Sequence, residues 1–350
     1  MIKSMKINHN KKKNSSLINI SMVAELAGVS PSTVSRVING TAVVSETKNK
    51  AITSAIKTLG FSPNPMARGL AGGRTLSVGV ITQALDSPFY GAALRGIEVV
   101  LIEAGYSSLF VSGHWNAQEE ARCIDVLRAR RVDGIIVLTG RLSDQQLKNC
   151  AKDLCVVVTG RSVKAPNLYA MNFDNLEGAR LATEHLIHLG HKKIAFITGD
   201  AQHPDAIERE RGYQLALENA QIKYDPDLTV KGLYSEDSGF EAMRILLTRG
   251  KRFSAVFAAN DQMALGATLL LHQHEIRIPE EVAVIGFDDL PVCSYSHPPL
   301  SSVCHPAHEI GKLAAQAILD LLRGKSPDLK LPPPTLVIRQ STRQNPVEGK

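Results

Sequence analysis

Apolar residues along this chain follow two patterns. Over residues 20–59 they recur at helical spacing: Ile20, Val23, Ala24 and Ala27 form one stripe, Val34, Val37 and Ile38 a second, and Ile52, Ala55, Ile56 and Leu59 a third. Gly28 supplies a turn between the first two. Ser30-Pro31 opens the second helix, with serine as the cap and proline at a position whose N–H would go unpaired anyway. Ser45 is the candidate cap of the third. From residue 76 short apolar runs alternate with helical stretches: LSVGVIT (76–82), SSLFVS (107–112), GIIVLT (134–139), LCVVVT (154–159), KIAFIT (193–198), SAVFAA (254–259) and EVAVIGF (281–287). That alternation predicts parallel sheets covered by helices, and the number of runs favours two doubly wound lobes over one sheet.

Several runs end on polar residues: Asp86, Gly160-Arg161, Gly199-Asp200, Asn260-Asp261 and Asp288-Asp289. In open α/β sheets ligands sit beyond the carboxyl ends of the strands, so two lobes would converge these groups on a cleft. Such a cleft suits a small polyhydroxylated ligand. An aspartate at such a place can instead be a helix cap, a reading that fits Asp86 and Asp289. Asn260 and Asp288 directly follow buried apolar runs and are harder to explain as caps. His297, His305 and His308 lie near prolines and read as surface or internally satisfied side chains. Ser238 to Glu241 reads as a capping box at a helix start.

Composition narrows the function. The chain has 350 residues, 44% of them hydrophobic, without an apolar run near the roughly 20 residues of a membrane span. The basic N-terminus has no apolar segment behind it, so it is not a secretory signal. Five cysteines without a CxxC pair read as thiols of a reducing compartment, which implies the cytoplasm. There is no GxGxxG after the first strand, no GxxxxGK[ST] loop and no HExxH, so neither an enzyme nor a cofactor or metal site is expected. The net charge of +6 is unevenly spread. Residues 1–74 carry eleven lysines and arginines against two glutamates, a net +9, which leaves −3 for the remainder. A basic head on a mildly acidic body predicts a polyanion partner for the head alone.

The second helix says which polyanion. Its outer face holds Ser32, Arg36 and Asn39, with Thr33 and Ser35 on the flanks and no acid among them. Short side chains let a backbone approach a groove closely, while arginine can reach guanine N7 and O6 with two bonds. The segment fits a helix-turn-helix whose second helix reads a major groove of double-stranded DNA. Residues 62–73, SPNPMARGLAGG, are too short for a stable lone helix and include Gly69. They read either as a flexible linker or as a segment that turns helical when something docks.

VAELAGVSPSTVSRVING (23–40), followed by VSETKNKAITSAIKTLGFSPNPMARGLAGG (44–73), closely resembles the head and hinge of the lactose/galactose repressor (LacI/GalR) family of bacterial transcription regulators. DSPFYGAALRGIE, ERERGYQLALE, AANDQMALGA, IPEEVAVIGFDD and LVIRQST look like signatures of its body, and the similarity runs over roughly residues 19 to 343. The resemblance implies an α/β chain: a basic disordered arm (1–18), a three-helix helix-turn-helix head (19–61), a hinge helix (62–74) and a two-lobed body (75–345) like the periplasmic binding proteins. Lobe 1 would comprise about 75–172 and 306–334, and lobe 2 about 173–305 and 335–345.

Residue by residue, the resemblance places operator contacts at Thr33, Ser35, Arg36 and Asn39, with Pro31 and Ser32 at positions that help choose base sequence. Ser30 and Asn64 complete the DNA-facing set. Leu70 matches the hinge leucine that wedges into the minor groove of a palindrome, with Arg68 beside it. Effector contacts are implied at Asp86, Phe89, Tyr90, Arg161, Arg209, Tyr234, Asn260 and Asp288. The departures are Gly160, where sugar-binding members often carry Asp, and Met22, where an acid is common. The chain lacks the leucine-repeat helix that makes some members tetramers, so a homodimer is expected. The implied function is a repressor of carbohydrate-utilisation genes, acting on the nucleoid and tuned by a sugar or sugar phosphate. The alternative is a sugar-binding protein without a DNA role, which would share the body alone.

Overall fold

The computed structural model describes residues 18–38, 44–61 and 74–342. The chain divides between Thr75 and Leu76 into two compact units. In the first, α1 (Ile20–Ala27) starts at Asn19, whose Oδ1 accepts from the N–H groups of Ser21 and Met22 at 3.0 and 3.2 Å. It stops at Gly28, whose φ of 64° lies in the left-handed region that glycine adopts without steric cost. In α2 (Pro31–Ile38) the Ser30 hydroxyl accepts from the Thr33 N–H at 3.2 Å, the expected cap. Ser45 stands at the cap position of α3 (Glu46–Leu59) but its side chain makes no capping bond. Val23, Ala24, Val34, Ile52 and Ala55 are the buried centre on which the three helices converge.

The second unit holds two sheets. Strands β1 (Ser77–Thr82), β2 (Ser107–Ser112), β3 (Gly134–Val137), β4 (Cys155–Thr159) and β5 (Leu168–Met171) form a five-stranded sheet of order β2-β1-β3-β4-β5, parallel throughout. Strands β6 (Ile194–Thr198), β7 (Thr229–Lys231), β8 (Ala255–Ala258), β9 (Ala283–Asp288), β10 (Ser301–Cys304) and β11 (Thr335–Val337) form the other, of order β11-β10-β9-β8-β6-β7, with only β11 antiparallel. All seven predicted runs are strands. Strands β5, β7, β10 and β11 were not foreseen.

Helices cover both faces of each sheet: α4 (Pro88–Glu103), α5 (Ala117–Ala129) and α6 (Asp144–Cys150) follow the early strands, and α7 (Asn175–His188), α8 (Pro204–Asn219), α9 (Glu236–Thr248) and α10 (Asp261–Gln273) the later ones. The last helix, α11 (Ala307–Leu322), crosses back to pack on α4 and on the first sheet. The chain thus passes between the sheets three times, within 171–175, 304–307 and 322–335. Helix α9 corrects the predicted capping box: its cap is Ser235, and Ser238 is the third helical residue that bonds back to it.

In each sheet the strand order reverses beside the first strand, at β1/β3 and at β6/β8. The carboxyl ends there open the crevice in which ligands bind in such folds. The closeness of α4 to α11 rests on two glycines. A Cβ on Gly96 would land on the His308 carbonyl, and one on Gly311 on the Ala93 carbonyl. Backbone cannot yield as a side-chain tip can, so Gly96→Ala is expected to lower unfolding free energy by about 1–3 kcal/mol. Gly91→Ala, on the same helix with nothing nearer than the tip of Arg95, should be neutral or slightly stabilising. Denaturant titration of both variants checks the contrast, and equal midpoints would refute it.

Candidate functional site

Beyond the carboxyl ends of β1, β2, β6, β7, β8 and β9 lies a cavity of about 380 Å³. Seven of the eight body residues singled out above line it: Asp86, Phe89, Tyr90, Arg209, Tyr234, Asn260 and Asp288. Arg161 does not. Its guanidinium donates to the Leu142 carbonyl at 2.5 Å and to the Gly140 carbonyl, and lies 3.6 Å from Asp144. Those partners hold it on the turn after β3, so the structure places it outside the cavity wall.

Arg209 projects from α8 and is only 4% exposed. Its Nε donates to Asn175 Oδ1 at 2.9 Å, and Nη1 donates to the Ala259 carbonyl. Its Nη2 lies 3.6 Å from Asp288 Oδ1 and 3.4 Å from His305 Nδ1, and the guanidinium carbon sits 3.7 Å above the centre of the Phe287 ring. His305 is therefore buried, partnered and ring-stacked on Phe173 at 4.0 Å, the internally satisfied of the two readings. Burial pushes its pKa down, against the pull of Asp288.

The acidic groups are set by different elements. Asp86 precedes α4 without capping it, since the cap position belongs to Ser87. Asp288 ends β9 with φ 108° and Asp289 follows at φ 54°. Asp289 is no cap either: its carboxylate meets Arg339 at 2.8 Å. Asn260, by contrast, does cap a helix. Its Oδ1 accepts from the Met263 N–H at 2.9 Å, and its amide donates to the Tyr234 carbonyl at 3.1 Å, so one side chain both starts α10 and fixes the Tyr234 backbone. Tyr234 itself has φ 65°, and its ring covers Gly199, where a Cβ would land on the phenol oxygen.

The sequence reading missed Trp115, His203, Asp205 and Gln262, which also line the cavity. Asp205 lies four residues before Arg209 on α8, one helical turn away on the same face, a spacing that was available in the sequence. Burial raises its pKa, with Arg209 opposing. Asp205 Oδ1 and Tyr234 Oη are both buried without a hydrogen-bond partner among the described residues. Trp115 follows β2 with its backbone N–H donating to Gln83 Oε1 at 2.9 Å, and its ring lies 3.8 Å from that of His203. Phe89 and Tyr90, edge to face at 5.4 Å, sit in the first turn of α4.

On the head, Pro31, Ser32 and Arg36 are exposed on α2, Thr33 and Ser35 are half-buried, and Val34 points inward. The Ser30 hydroxyl is 2.9 Å from that of Ser32 and 2.8 Å from that of Thr33, which orders the polar start of the helix. Asn39, Asn64, Arg68 and Leu70, and the hinge segment as a whole, lie outside the described residues.

Burial lowers the His203 pKa from 6.5 to about 4, with Arg141 nearby also opposing its charge. Between those values the unfolded chain binds the proton and the folded one does not. This contribution is therefore complete above pH 6.5 and is lost as pH falls toward 4. The thermal midpoint should drop more steeply across that window in the wild type than in His203→Gln, which keeps a hydrogen-bonding side chain without titrating. Parallel curves would refute the assignment.

Residues 19–64 match the family described as "Bacterial regulatory proteins, lacI family", and residues 183–342 match a "Periplasmic binding protein-like domain". The chain is 37% identical over 317 residues to the HTH-type transcriptional regulator CelR of Thermobifida fusca, covering 88% of this chain and 92% of that one. A CelR–cellobiose complex superposes with a TM-score of 0.70 at 35% identity, covering 93% of this chain and 100% of the other. The lac repressor dimer bound to operator and the anti-inducer ONPF superposes with a TM-score of 0.84 at 29% identity, covering 93% and 99%. With the helix-turn-helix head, the two-sheet body and a relative of this identity over nearly its whole length, the chain belongs to the LacI family of bacterial regulatory proteins.

Proposed function

We propose that the chain is a sequence-specific transcriptional repressor whose grip on operator DNA is set by a small sugar in the body's cavity. The observation that carries the reading is the exposed face of α2, where serines and an arginine replace the glutamates and lysines of an ordinary solvated helix. A helix eight residues long with short side chains can lie deep in a major groove. In this reading Arg36 contacts a base, Ser30, Ser32, Thr33 and Ser35 contact phosphates or base edges, and Pro31 shapes the entry of the helix. Asn39, Asn64, Arg68 and Leu70 extend the contact. The repressor acts as a dimer on a palindrome, in the cytoplasm and on the nucleoid. A relative in complex with cellobiose and another, dimeric, on its operator support the ligand class and the assembly.

The wall of the cavity narrows the ligand. Asp86, Asp205, Glu236 and Asp288 face it, Arg209 is the one lysine or arginine among the described lining residues, and His203 is neutral at ordinary pH. Arg209 already has acceptors on its nitrogens. A phosphorylated sugar would bring two negative charges to carboxylates with no unengaged cation to answer them. An uncharged sugar brings hydroxyl donors to those carboxylates and C–H faces to Phe89, Tyr90 and Trp115. The ligand acts only through its different affinities for the two states of the body.

Two measurements test this. In gel shifts of the full chain against operator variants, Arg36→Ala should lose discrimination worth about 1–3 kcal/mol at one base step. Unchanged discrimination at every base would remove Arg36 from base reading. In a thermal-shift panel of sugars paired with their 6-phosphates, the uncharged member of each responding pair should give the larger shift. A consistent preference for the phosphate would overturn the ligand class while leaving the repressor reading in place.

A further inference from the structure

Outside the cavity wall, the turn of residues 140–142 after β3 is gripped from two sides. The buried carboxylate of Glu120 on α5 accepts from the N–H of Arg141 at 2.9 and 3.0 Å and from that of Leu142 at 3.0 Å. Arg161 holds the carbonyls of Gly140 and Leu142 from the other direction. A buried carboxylate is costly unless it is answered, and here three bonds from two backbone N–H groups answer Glu120, while the part-buried Arg161 spends both terminal nitrogens on backbone carbonyls. The turn is therefore a rigid base for the one side chain that leaves it outward, that of Arg141.

That side chain crosses to the other sheet's half of the body. Arg141 Nη2 is 3.1 Å from Asp200 Oδ2 and 3.3 Å from His203 Nε2, and Nη1 bonds to Gln202 Oε1. Arginine can only donate, so Nε2 of His203 is the acceptor and the ring is neutral. The second oxygen of Asp200 is held by Lys231 at 3.1 Å. A separate tie lies beside this one: the ring of Trp115, from the first half, against that of His203, from the second, at 3.8 Å. The two ties share His203, and together they join the loops after β2 and β3 to the loop after β6.

We propose that Arg141 is a positioning residue that clasps the two halves of the body over the ligand cavity, and that Trp115 and His203 transmit the state of the clasp to the cavity wall. This deepens the reading of the cavity as a regulatory site and rests on it. Arg141 and Asp200 do not line the cavity. They act on the ligand only through the spacing of the halves. A half-buried ion pair of this kind shifts a closed-to-open ratio about fivefold. Arg161 gains a role here that its place outside the cavity otherwise leaves unexplained: it fixes the base from which the clasp is thrown.

Trp115 is the only tryptophan in the chain, so its accessibility reports the clasp directly. The test is acrylamide quenching of the full-length chain without ligand or DNA, comparing wild type with Arg141→Ala, Arg141→Lys, Asp200→Asn and the double variant Arg141→Ala/Asp200→Asn. Arg141→Ala keeps the backbone N–H that Glu120 binds, and Asp200→Asn leaves that turn untouched, so at least one single variant remains folded by thermal melt. Quenching should rise in both single variants, fall back part way in Arg141→Lys, and rise no further in the double variant than in the stronger single one. Quenching equal to wild type in the folded single variants overturns the clasp, and so does full additivity in the double. Operator binding and sugar-induced thermal shifts are read separately on the same proteins. Their absence in the wild type would sink the repressor reading, whatever the quenching shows.

Discussion

A single buried guanidinium organises the body. A charge as enclosed as that of Arg209 destabilises the fold unless its donors are answered, and removing one partner of such a group costs about 3–5 kcal/mol. The answers come from separate parts of the chain: Asn175 just past the first crossover, Ala259 at the end of β8, Asp288 at the end of β9 and His305 in the second crossover, with the Phe287 ring beneath. Satisfying one side chain thus fixes where two of the three connections between the sheets pass. Its pairing with Asp288 also helps offset the strain, about 1–3 kcal/mol, of the positive φ at that residue. Asp261 assists from below, accepting from the Leu290 N–H at 2.7 Å and the Ser302 hydroxyl at 2.6 Å. Burial and the neighbouring Asp288 push its pKa up to about 8.

The same constraint decides the character of the cavity. Because Arg209 is spent on the fold, what the wall has left to offer a ligand is mainly acceptors and aromatic faces. Asp205 shows this most plainly, with its carboxylate raised in pKa by burial and one oxygen unpartnered beside the arginine. The structural demand and the recognition chemistry are one arrangement seen from two sides. A substitution that freed Arg209 to bind an anion would also unpin the crossovers.

The seven foreseen strands could be read because each lies in a short run rich in β-branched or other apolar residues that ends on polar or turn residues, too short for a helix of ordinary length; β1, β3, β4, β6, β8 and β9 are almost wholly buried, while β2 is only half-buried. Strand β10 escaped notice because two of its three buried residues are Ser301 and Ser302, whose hydroxyls are satisfied by Thr342 and Asp261, distant partners that a sequence does not display. β7 and β11 are three-residue edge strands, below the length at which alternation can be seen. In the cavity, residues at the ends of those long runs were legible through topology. Asn260 lines the cavity as expected, and its amide also caps α10, a second role the sequence reading had discounted. Arg161 was misplaced. It follows a strand as the others do, but backbone carbonyls of the neighbouring turn capture it first, and that capture depends on the turn's conformation, fixed by Glu120 from a different helix.

In the head, recognition and stability are harder to separate than the residue roles suggest. Helix α2 is eight residues long, well under the length at which an isolated helix holds in water. Its order comes from Val34, fully buried among Val23, Ala24, Ile52 and Ala55, and from the serine and threonine hydroxyls at its start. The exposed face contributes nothing to that core, so it is free to be chosen for DNA. The inner face is not, and loss of packing at Val34 would blur base reading by loosening the helix that carries it. A change in operator discrimination therefore speaks for a base contact only when the variant melts with the wild type. For an exposed residue such as Arg36 the melt is the control that decides, whereas a core residue such as Val34 fails it from the outset.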